Sequence, residues 1–277
     1  MAHGDMQQQS HLIEEVCDSD GVLRLTLNDP ATRNSLSEAM LAALSDRLAA
    51  ARDNPQARVI VLAANGPVFC AGHNLKEMTA ARTDPANAAD RGRAYFSRVL
   101  KSCSAVMQSI PAHPKPVIAE VAGTATAAGC QLVASCDLAI ASDTAQFATP
   151  GVNIGLFCST PMVALSRNLS RKQSMEMLLM GEFLPAQRVC DMGLVNRVVA
   201  DDWLSAEAME MAGIIAAKSS SAVKIGKKAF YRQLEMPLAE AYEYAGQVMA
   251  ENMLFRDAEA GIGAFITKKQ MPEWQGN

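Results

Sequence analysis

Two short runs in which apolar and polar residues alternate open the chain, at residues 12–17 and 22–27. They flank Asp18-Ser19-Asp20-Gly21, whose residue types tolerate the positive φ angles of a tight turn. The pattern predicts an opening antiparallel β-hairpin.

Farther along the chain, helical and strand-like spacings of apolar residues alternate. Ser35-Leu36-Ser37-Glu38 has the pattern of a capping box before a helix. Residues 88–110 are predicted to form a second helix, and the polar, Ala-rich stretch around Asp84-Pro85 before it is predicted to be a mobile loop. A continuous apolar run at residues 58–63 predicts a strand covered on both faces, and further strands are predicted at residues 117–121, 138–141 and 194–199.

The last part of the chain, from Trp203 to Lys269, is helical in pattern, with breaks at Pro237 and near Arg256. Strands that alternate with helices, followed by helices alone, predict an α/β fold. We therefore expect an α/β core over residues 1–202 and a C-terminal helical region over residues 203–277.

The composition argues against a nucleic-acid-binding protein and against a membrane-spanning protein. Charged residues make up 19% of the chain, and 25 basic against 29 acidic residues give a net charge of −4, which provides no electrostatic basis for nucleic-acid binding. No apolar run approaches the roughly 18 residues of a membrane span. Residues 1–10 are polar and lack Arg and Lys, so we expect neither a signal nor a transit peptide there.

The cysteines indicate a reducing compartment. Seven of them are scattered through apolar segments without a C-x-x-C pair. An odd number of dispersed cysteines is typical of reduced thiols, and on this basis we expect a cytoplasmic protein.

Two turns made of small residues are candidates for chemistry. Cys70-Ala71-Gly72-His73 follows one predicted strand, and Ala127-Ala128-Gly129 follows another. Turns that open helices leave backbone N–H groups free, and two converging N–H groups can form an oxyanion hole for a carbonyl oxygen. The same small residues also permit close packing of helix on sheet, so spacing alone leaves both interpretations open.

Several segments together resemble the crotonase, or enoyl-CoA hydratase/isomerase, superfamily over nearly the whole chain. They are residues 28–36, 68–78, 114–119, 123–131, 136–142, 145–150 and 186–195, in that order. The resemblance implies a crotonase (ClpP-like) spiral of ββα units with C-terminal helices that pack a homotrimer, or a hexamer formed as a dimer of trimers. It also implies an acyl-CoA substrate and no separate cofactor, because coenzyme A is part of the substrate.

The resemblance assigns site residues by position. The backbone N–H groups of His73 and Ala128 would form the oxyanion hole for the thioester carbonyl. Lys268 and Lys269 correspond to a basic element that approaches the CoA nucleotide from a neighbouring subunit, although both are equally compatible with solvated surface charges. The positions expected to line the CoA thioester are Arg33, Ala71, His73, Asn74, Leu75 and Lys76.

The chain departs from the family at the acid/base positions. Gln131 and Gly151 stand where a hydratase of this family has two glutamates. An amide has no useful basicity and glycine has no side chain, so two-glutamate hydration is chemically unsupported. If the water site is otherwise intact, restoring glutamate at both positions is expected to raise hydration. The segment from Gly151 to Pro161 resembles the branch called enoyl-CoA hydratase domain-containing protein 3.

Two side chains are candidate substitutes for the missing carboxylates. The imidazole of His73 lies at the predicted hole, and Cys158 lies in the segment that borders the acyl pocket. Alternatively only the backbone of His73 matters, and Cys158 is a small buried apolar residue. No metal-ligand spacing or dinucleotide motif is present, so we expect no metal.

Three functions remain open at this point. The first is an enzyme that acts on a 2-enoyl-CoA as a hydratase or isomerase. The second is a non-catalytic acyl-CoA-binding protein, and a distant third is hydrolysis through a serine or cysteine nucleophile, for which the sequence offers no convincing Ser-His pair.

Overall fold

The structure is a computed structural model that describes residues 11–277. The expectation that residues 1–10 carry no targeting signal lies outside the described residues. The strands are β1 (Ile13–Cys17), β2 (Val22–Leu27), β3 (Val59–Ala64), β4 (Val68–Cys70), β5 (Val117–Val121), β6 (Thr124–Thr126), β7 (Leu138–Ser142), β8 (Gln146–Ala148), β9 (Leu184–Pro185) and β10 (Arg197–Val199). The helices are α1 (Glu38–Asp53), α2 (Leu75–Thr83), α3 (Arg93–Ser109), α4 (Ala128–Ser135), α5 (Pro161–Asn168), α6 (Arg171–Met180), α7 (Ala186–Met192), α8 (Leu204–Ala216), α9 (Ser220–Gln233), α10 (Leu238–Met253) and α11 (Arg256–Ile266).

Successive pairs of strands contribute to two different sheets. A six-stranded sheet has the order β1-β2-β3-β5-β7-β10, and a four-stranded sheet has the order β4-β6-β8-β9. The chain thus places β3, β5 and β7 in the first sheet and the strand after each of them in the second, before the next helix. This repeated strand-strand-helix path confirms the predicted α/β spiral. The opening hairpin is also confirmed, because β1 pairs antiparallel with β2 from Ile13 opposite Leu27 to Cys17 opposite Leu23.

The central strands of the larger sheet are buried on both faces, as the continuous apolar run at residues 58–63 predicted for β3. Ile60 and Leu62 of β3 belong to the main core, whereas Val59 and Val61 belong to a second core that α8 covers with Leu204 and four other apolar residues. The first helix of the predicted C-terminal region is therefore part of the packing of the sheet. The helices from Ser220 onward carry most of the exposed apolar side chains of the C-terminal region.

The prediction of a mobile loop around Asp84-Pro85 is wrong in part. Residues 75–83 form α2, because the Asn74 side chain accepts hydrogen bonds from the backbone N–H groups of Lys76 and Glu77 and caps the helix. A short 3₁₀ helix at Pro85–Asn87 follows, and α3 begins only at Arg93. The cap of α1 also differs from the prediction, since Ser37 rather than Ser35 accepts from the Met40 N–H.

Candidate active site

The two small-residue turns lie side by side at the carboxyl ends of β4 and β6, which pair in parallel. A β-carbon added at Gly72, whose φ is +85°, would lie 3.1 Å from the backbone nitrogen of Ala128. The first turn is fixed from two sides, because the Leu36 N–H donates to the Gly72 carbonyl (2.8 Å) and the Thr126 hydroxyl donates to the Ala71 carbonyl (3.1 Å). The fold thus brings together the two turns that the sequence singled out.

Close backbone approach sets the position of the second turn. A β-carbon added at Gly129 would lie 2.1 Å from the carbonyl oxygen of Cys70, so only glycine allows α4 to start against β4. Ala127 before it has φ +50° and ψ −117°, the first central position of a type II′ turn, which an L-residue adopts only under strain. This turn presents the N–H of Ala128 at the first residue of α4.

The N–H groups of His73 and Ala128 are both available. Among residues 11–277, neither group donates a hydrogen bond to the backbone or to a side chain. The N–H of Ala128 has no intrahelical acceptor because Ala128 is the first residue of its helix. Two free donors on neighbouring turns are the arrangement that an oxyanion hole requires.

The His73 imidazole is a neutral group without a partner. Both of its ring nitrogens are buried and make no hydrogen bond within the described part of the chain. Burial lowers the pKa of His73, and the neighbouring Leu36 backbone opposes this shift only in part. Burial therefore favours the uncharged form of the ring.

Gln131 follows Ala128 by three residues on the same face of α4. Its side chain is buried, and the amide oxygen Oε1 has no hydrogen-bond partner among residues 11–277. A buried amide oxygen without a partner is costly unless a ligand or water donates to it. At the position that the family resemblance assigns to the first glutamate, the side chain thus offers an acceptor, not a base.

Gly151 occupies the position that the family resemblance assigns to the second glutamate, and the side chain of Cys158 fills the space beside it. A β-carbon added at Gly151 would lie 2.9 Å from Sγ of Cys158 and 2.8 Å from the carbonyl oxygen of Leu156. The sequence did not reveal this contact, because Gly151 and Cys158 belong to an irregular segment whose path no periodicity predicts. The expectation that glutamate can be restored at both positions therefore conflicts with the packing at Gly151.

The thiols near the site are poor nucleophiles. Burial raises the pKa of Cys158, and it raises the pKa of Cys130, which precedes Gln131, to about 12. Both sulfurs are therefore protonated at neutral pH, which disfavours a thiolate mechanism at Cys158.

The predicted CoA-binding residues fall into two groups. Arg33 and Ala71 are joined through the backbone, because the Ala71 N–H donates to the Arg33 carbonyl (3.1 Å). Lys76 is exposed in the first turn of α2, beside His73, so the predicted thioester segment is continuous with the hole. Lys268 and Lys269 follow α11 and are exposed, and their approach to a neighbouring subunit's nucleotide stays a prediction.

Comparison with known proteins settles the family. Residues 18–277 match the sequence profile described as enoyl-CoA hydratase/isomerase. The chain belongs to the enoyl-CoA hydratase/isomerase family. The resemblance to the crotonase superfamily is thereby confirmed.

The relatives also confirm the predicted branch of the enoyl-CoA hydratase/isomerase family. Rat enoyl-CoA hydratase domain-containing protein 3, mitochondrial, is 47% identical over 255 residues, which cover 92% of this chain and 82% of that protein. The crystal structure of the human protein of that name has a TM-score of 0.88 at 45% identity, with 94% of this chain and 99% of that chain covered. The crystal structure of an enoyl-CoA hydratase from Mycobacterium smegmatis has a TM-score of 0.89 at 48% identity, with 95% and 98% covered.

The names of these relatives contradict the expected cytoplasmic location. The rat, mouse and human proteins, each 47% identical to this chain, are named as mitochondrial. The expectation rested on free cysteines, and free thiols indicate a reducing environment without specifying the compartment.

Two further findings concern residues 11–277. No helix in this part of the chain is both long and apolar enough to cross a bilayer. No group of three or more His, Cys, Asp or Glu side chains is placed to hold a metal ion there.

Proposed function

We propose that this chain binds an acyl-CoA thioester, whose carbonyl oxygen accepts hydrogen bonds from the backbone N–H groups of His73 and Ala128. The observation that supports this proposal is the pair of free donors on two adjacent turns, which Gly72 and Gly129 hold in close contact. Such donors stabilise the negative charge that develops on the oxygen when a thioester is attacked or enolised. The exposed Lys76 would lie next to the anionic CoA arm.

We infer that the reaction is nominally a hydratase or isomerase reaction on a 2-enoyl-CoA, carried out without the two glutamates. The neutral, unpartnered imidazole of His73 is the proton carrier in this proposal, because it lies on the residue that supplies one donor of the hole. Gln131 would orient water or substrate through its amide. Cys158 would only pack against Gly151.

A non-catalytic acyl-CoA-binding protein is the second candidate function. It is favoured by the filled space at Gly151, which leaves no room for a carboxylate where a hydratase of this family has one. In this case the hole would bind the thioester without transferring a proton.

We further propose that the chain assembles as a homotrimer or as a dimer of trimers. Several apolar side chains on and beside the last helices are more than two-thirds exposed, which is unusual for a surface that faces only water. They are Leu238, Tyr242, Leu254, Phe265 and Ile266. Light scattering of the wild type and of Phe265→Glu tests this proposal, and a monomeric wild type would contradict it.

A steady-state assay with short, medium and aromatic 2-enoyl-CoAs tests the reaction. The matched variant is Ala128→Pro, which removes one donor and places proline at the first helical position, where it is tolerated. We expect turnover in the wild type and at least a hundredfold lower kcat in Ala128→Pro at equal helix content by circular dichroism. Equal turnover in both proteins would overturn the proposed hole.

His73→Ala separates the two candidate functions, because this variant keeps its backbone N–H and loses only the imidazole. If the ring carries the proton, thioester affinity is retained, kcat falls by about 10²-fold to 10⁴-fold, and the pH dependence of kcat changes shape. Thioester binding without turnover of any panel member in the wild type would instead establish the non-catalytic function.

A further inference from the structure

A cavity elsewhere in the fold shares no residue with the candidate active site. Its volume is about 740 Å³, within the range of pockets that hold small organic ligands. It is lined by the end of α1, the segments that enter β3 and β5, the end of α8 with the turn after it, the first half of α9, Phe255 before α11, and the residues that follow α11.

The cavity concentrates positive charge in an acidic protein. Its wall contains six basic side chains and a single acidic one, Asp53, although the whole chain has a net charge of −4. The basic residues are Arg52, Arg58, Lys115, Lys218, Lys224 and Lys228. A concave surface lined by one sign of charge focuses the field and attracts a ligand of the opposite sign.

Two of these six cations stabilise the fold. The Lys115 ammonium donates to the carbonyl oxygens of Ala51 and Asn54 at the end of α1, and the Arg58 guanidinium donates to the Lys218 carbonyl (3.1 Å). None of the six forms a salt bridge within residues 11–277, and the side chains of the other four make no hydrogen bond there either. They are the side chains of Arg52, Lys218, Lys224 and Lys228.

Helix α9 directs further anion-binding groups at the same space. Ser221, Lys224 and Lys228 lie on one face of this helix, at i, i+3 and i+7, and all three line the cavity. The first turn of α9 adds the positive end of the helix dipole. A phosphate group is the anion that such a combination of ammonium groups and a helix N-terminus favours.

Two aromatic rings complete the wall. Phe255 and Trp274 line the cavity, and Trp274 packs against Gly261 of α11. Hydrogen bonds from the Gln275 and Gly276 N–H groups to the Asp257 carboxylate (2.8 and 2.9 Å) hold the segment that carries Trp274 in place. Planar rings beside cations provide a surface for a heterocyclic base next to its phosphates.

From this arrangement we propose that the cavity binds a nucleoside diphosphate. The phosphates contact the four cations whose side chains make no hydrogen bond or salt bridge, and the base packs against Trp274 or Phe255. The ligand would join the core, α9 and the segment after α11. This proposal does not rest on the acyl-CoA site, with which the cavity shares no residue.

Calorimetric titration with ADP tests the proposal on the full chain. The variant Lys224→Ala/Lys228→Ala removes two charges from the cavity, and Lys101→Ala/Lys172→Ala removes two from exposed positions of α3 and α6. We expect ADP affinity to fall at least tenfold in the first variant and to stay unchanged in the second. An absence of ADP binding, or equal affinities in all three proteins, would overturn the proposal.

Further titrations identify what the cavity recognises and keep it separate from the proposed acyl-CoA site. We expect pyrophosphate to bind more weakly than ADP and adenosine to bind weakest, whereas pyrophosphate binding equal to that of ADP would refute recognition of the base.

ADP affinity should be unchanged in Lys76→Ala and with saturating acyl-CoA present. Displacement of ADP by acyl-CoA, together with loss of binding in Lys76→Ala, would place ADP at the other site and overturn the proposal. If acyl-CoA does not bind to the protein, the ADP titrations still decide whether this cavity binds a nucleoside diphosphate, because the proposal does not rest on the acyl-CoA site.

Discussion

The ammonium group of Lys227 lies 2.6 Å from a carboxylate oxygen of Asp137, and this buried ion pair joins the C-terminal helix α9 to the strand core. The same carboxylate accepts the Tyr231 hydroxyl (2.8 Å) and the Val117 N–H (2.7 Å). Lys227 also donates to the carbonyl oxygens of Ile110 and Lys115. Asp137 is thus a structural residue.

Replacing Lys227 with Met should destabilise the fold by about 3–5 kcal/mol, because the carboxylate of Asp137 would remain buried without its counter-charge. Urea unfolding followed by circular dichroism measures the change. Lys228→Met, at the exposed neighbouring position, is the matched control and should change the free energy of unfolding by less than about 0.5 kcal/mol. Equal effects of the two substitutions would contradict the structural role of the ion pair.

Stability should fall on acidification because of His113. Burial lowers the pKa of His113 to about 4, and its ring accepts a hydrogen bond from the Lys115 N–H (3.1 Å) and donates one to the Leu48 carbonyl (3.1 Å). Since the unfolded chain binds this proton near pH 6.5, the stabilisation is complete above that pH. We expect a loss of about 3 kcal/mol between pH 6.5 and pH 4.

Unfolding free energies across this pH range check the assignment. His113→Asn should remove most of this slope, whereas His11→Asn, at an exposed position, should leave it unchanged. An unaltered slope in His113→Asn would show that another group causes the acid sensitivity.

Gly151→Ala should destabilise the chain by about 1–3 kcal/mol, because the new methyl group would meet the Leu156 carbonyl and the Cys158 sulfur. The control is Gly226→Ala, in α9, where a β-carbon meets nothing within 4 Å and helix propensity predicts a gain of about 0.5–1 kcal/mol. Thermal unfolding of both variants measures the contrast. Equal changes of the unfolding temperature in the two variants would mean that the segment around Leu156 moves to accommodate the added methyl group.

For the same reason, the double variant Gln131→Glu/Gly151→Glu should not gain hydratase activity. The side chain at 151 can enter only if the main chain of the neighbouring segment moves. Hydration of a short enoyl-CoA, measured from the loss of conjugated double-bond absorbance, is the readout. A rise above the wild-type rate would show that this segment rearranges at low cost.

Adding a methyl group at the hole should weaken thioester binding at least tenfold. In Gly72→Ala the β-carbon would lie 3.0 Å from Cβ of Ala127 and 3.1 Å from the Ala128 nitrogen, at a φ of +85° that disfavours any L-residue. Titration with a non-reactive acyl-CoA gives the affinity, and circular dichroism confirms that the variant is folded. Wild-type affinity in folded Gly72→Ala would argue against the hole.

The sequence predicts those elements of the fold that depend on the preferences of a few neighbouring residues. The Asp18–Gly21 turn, the continuous apolar run of β3 and the helix break at Pro237 follow from residue preferences over a few positions, and the structure has each of them. The two turns of the candidate site were found because small residues after buried strands are a local signal.

What the sequence did not reveal depends on contacts between distant segments. Asp137 and Lys227 are 90 positions apart, and no pattern around either residue indicates the other. The sequence does not predict the basic cavity, because its cations come from α1, the entries to β3 and β5, the turn between α8 and α9, and α9 itself. In Asn74 the sequence did contain the capping signal for α2, but the polar composition of the following residues outweighed it in the prediction.

Because both donors at the candidate site belong to the main chain, ordinary side-chain substitution cannot delete them, and only proline removes the N–H itself. The glycines at 72 and 129 and the strained turn at Ala127 fix the two donors of the proposed hole, whereas positions 131 and 151 are different residues of the chain. Ligand capture and bond chemistry can therefore diverge independently in evolution. If the proposed roles hold, a related protein can keep the first after losing or exchanging the second.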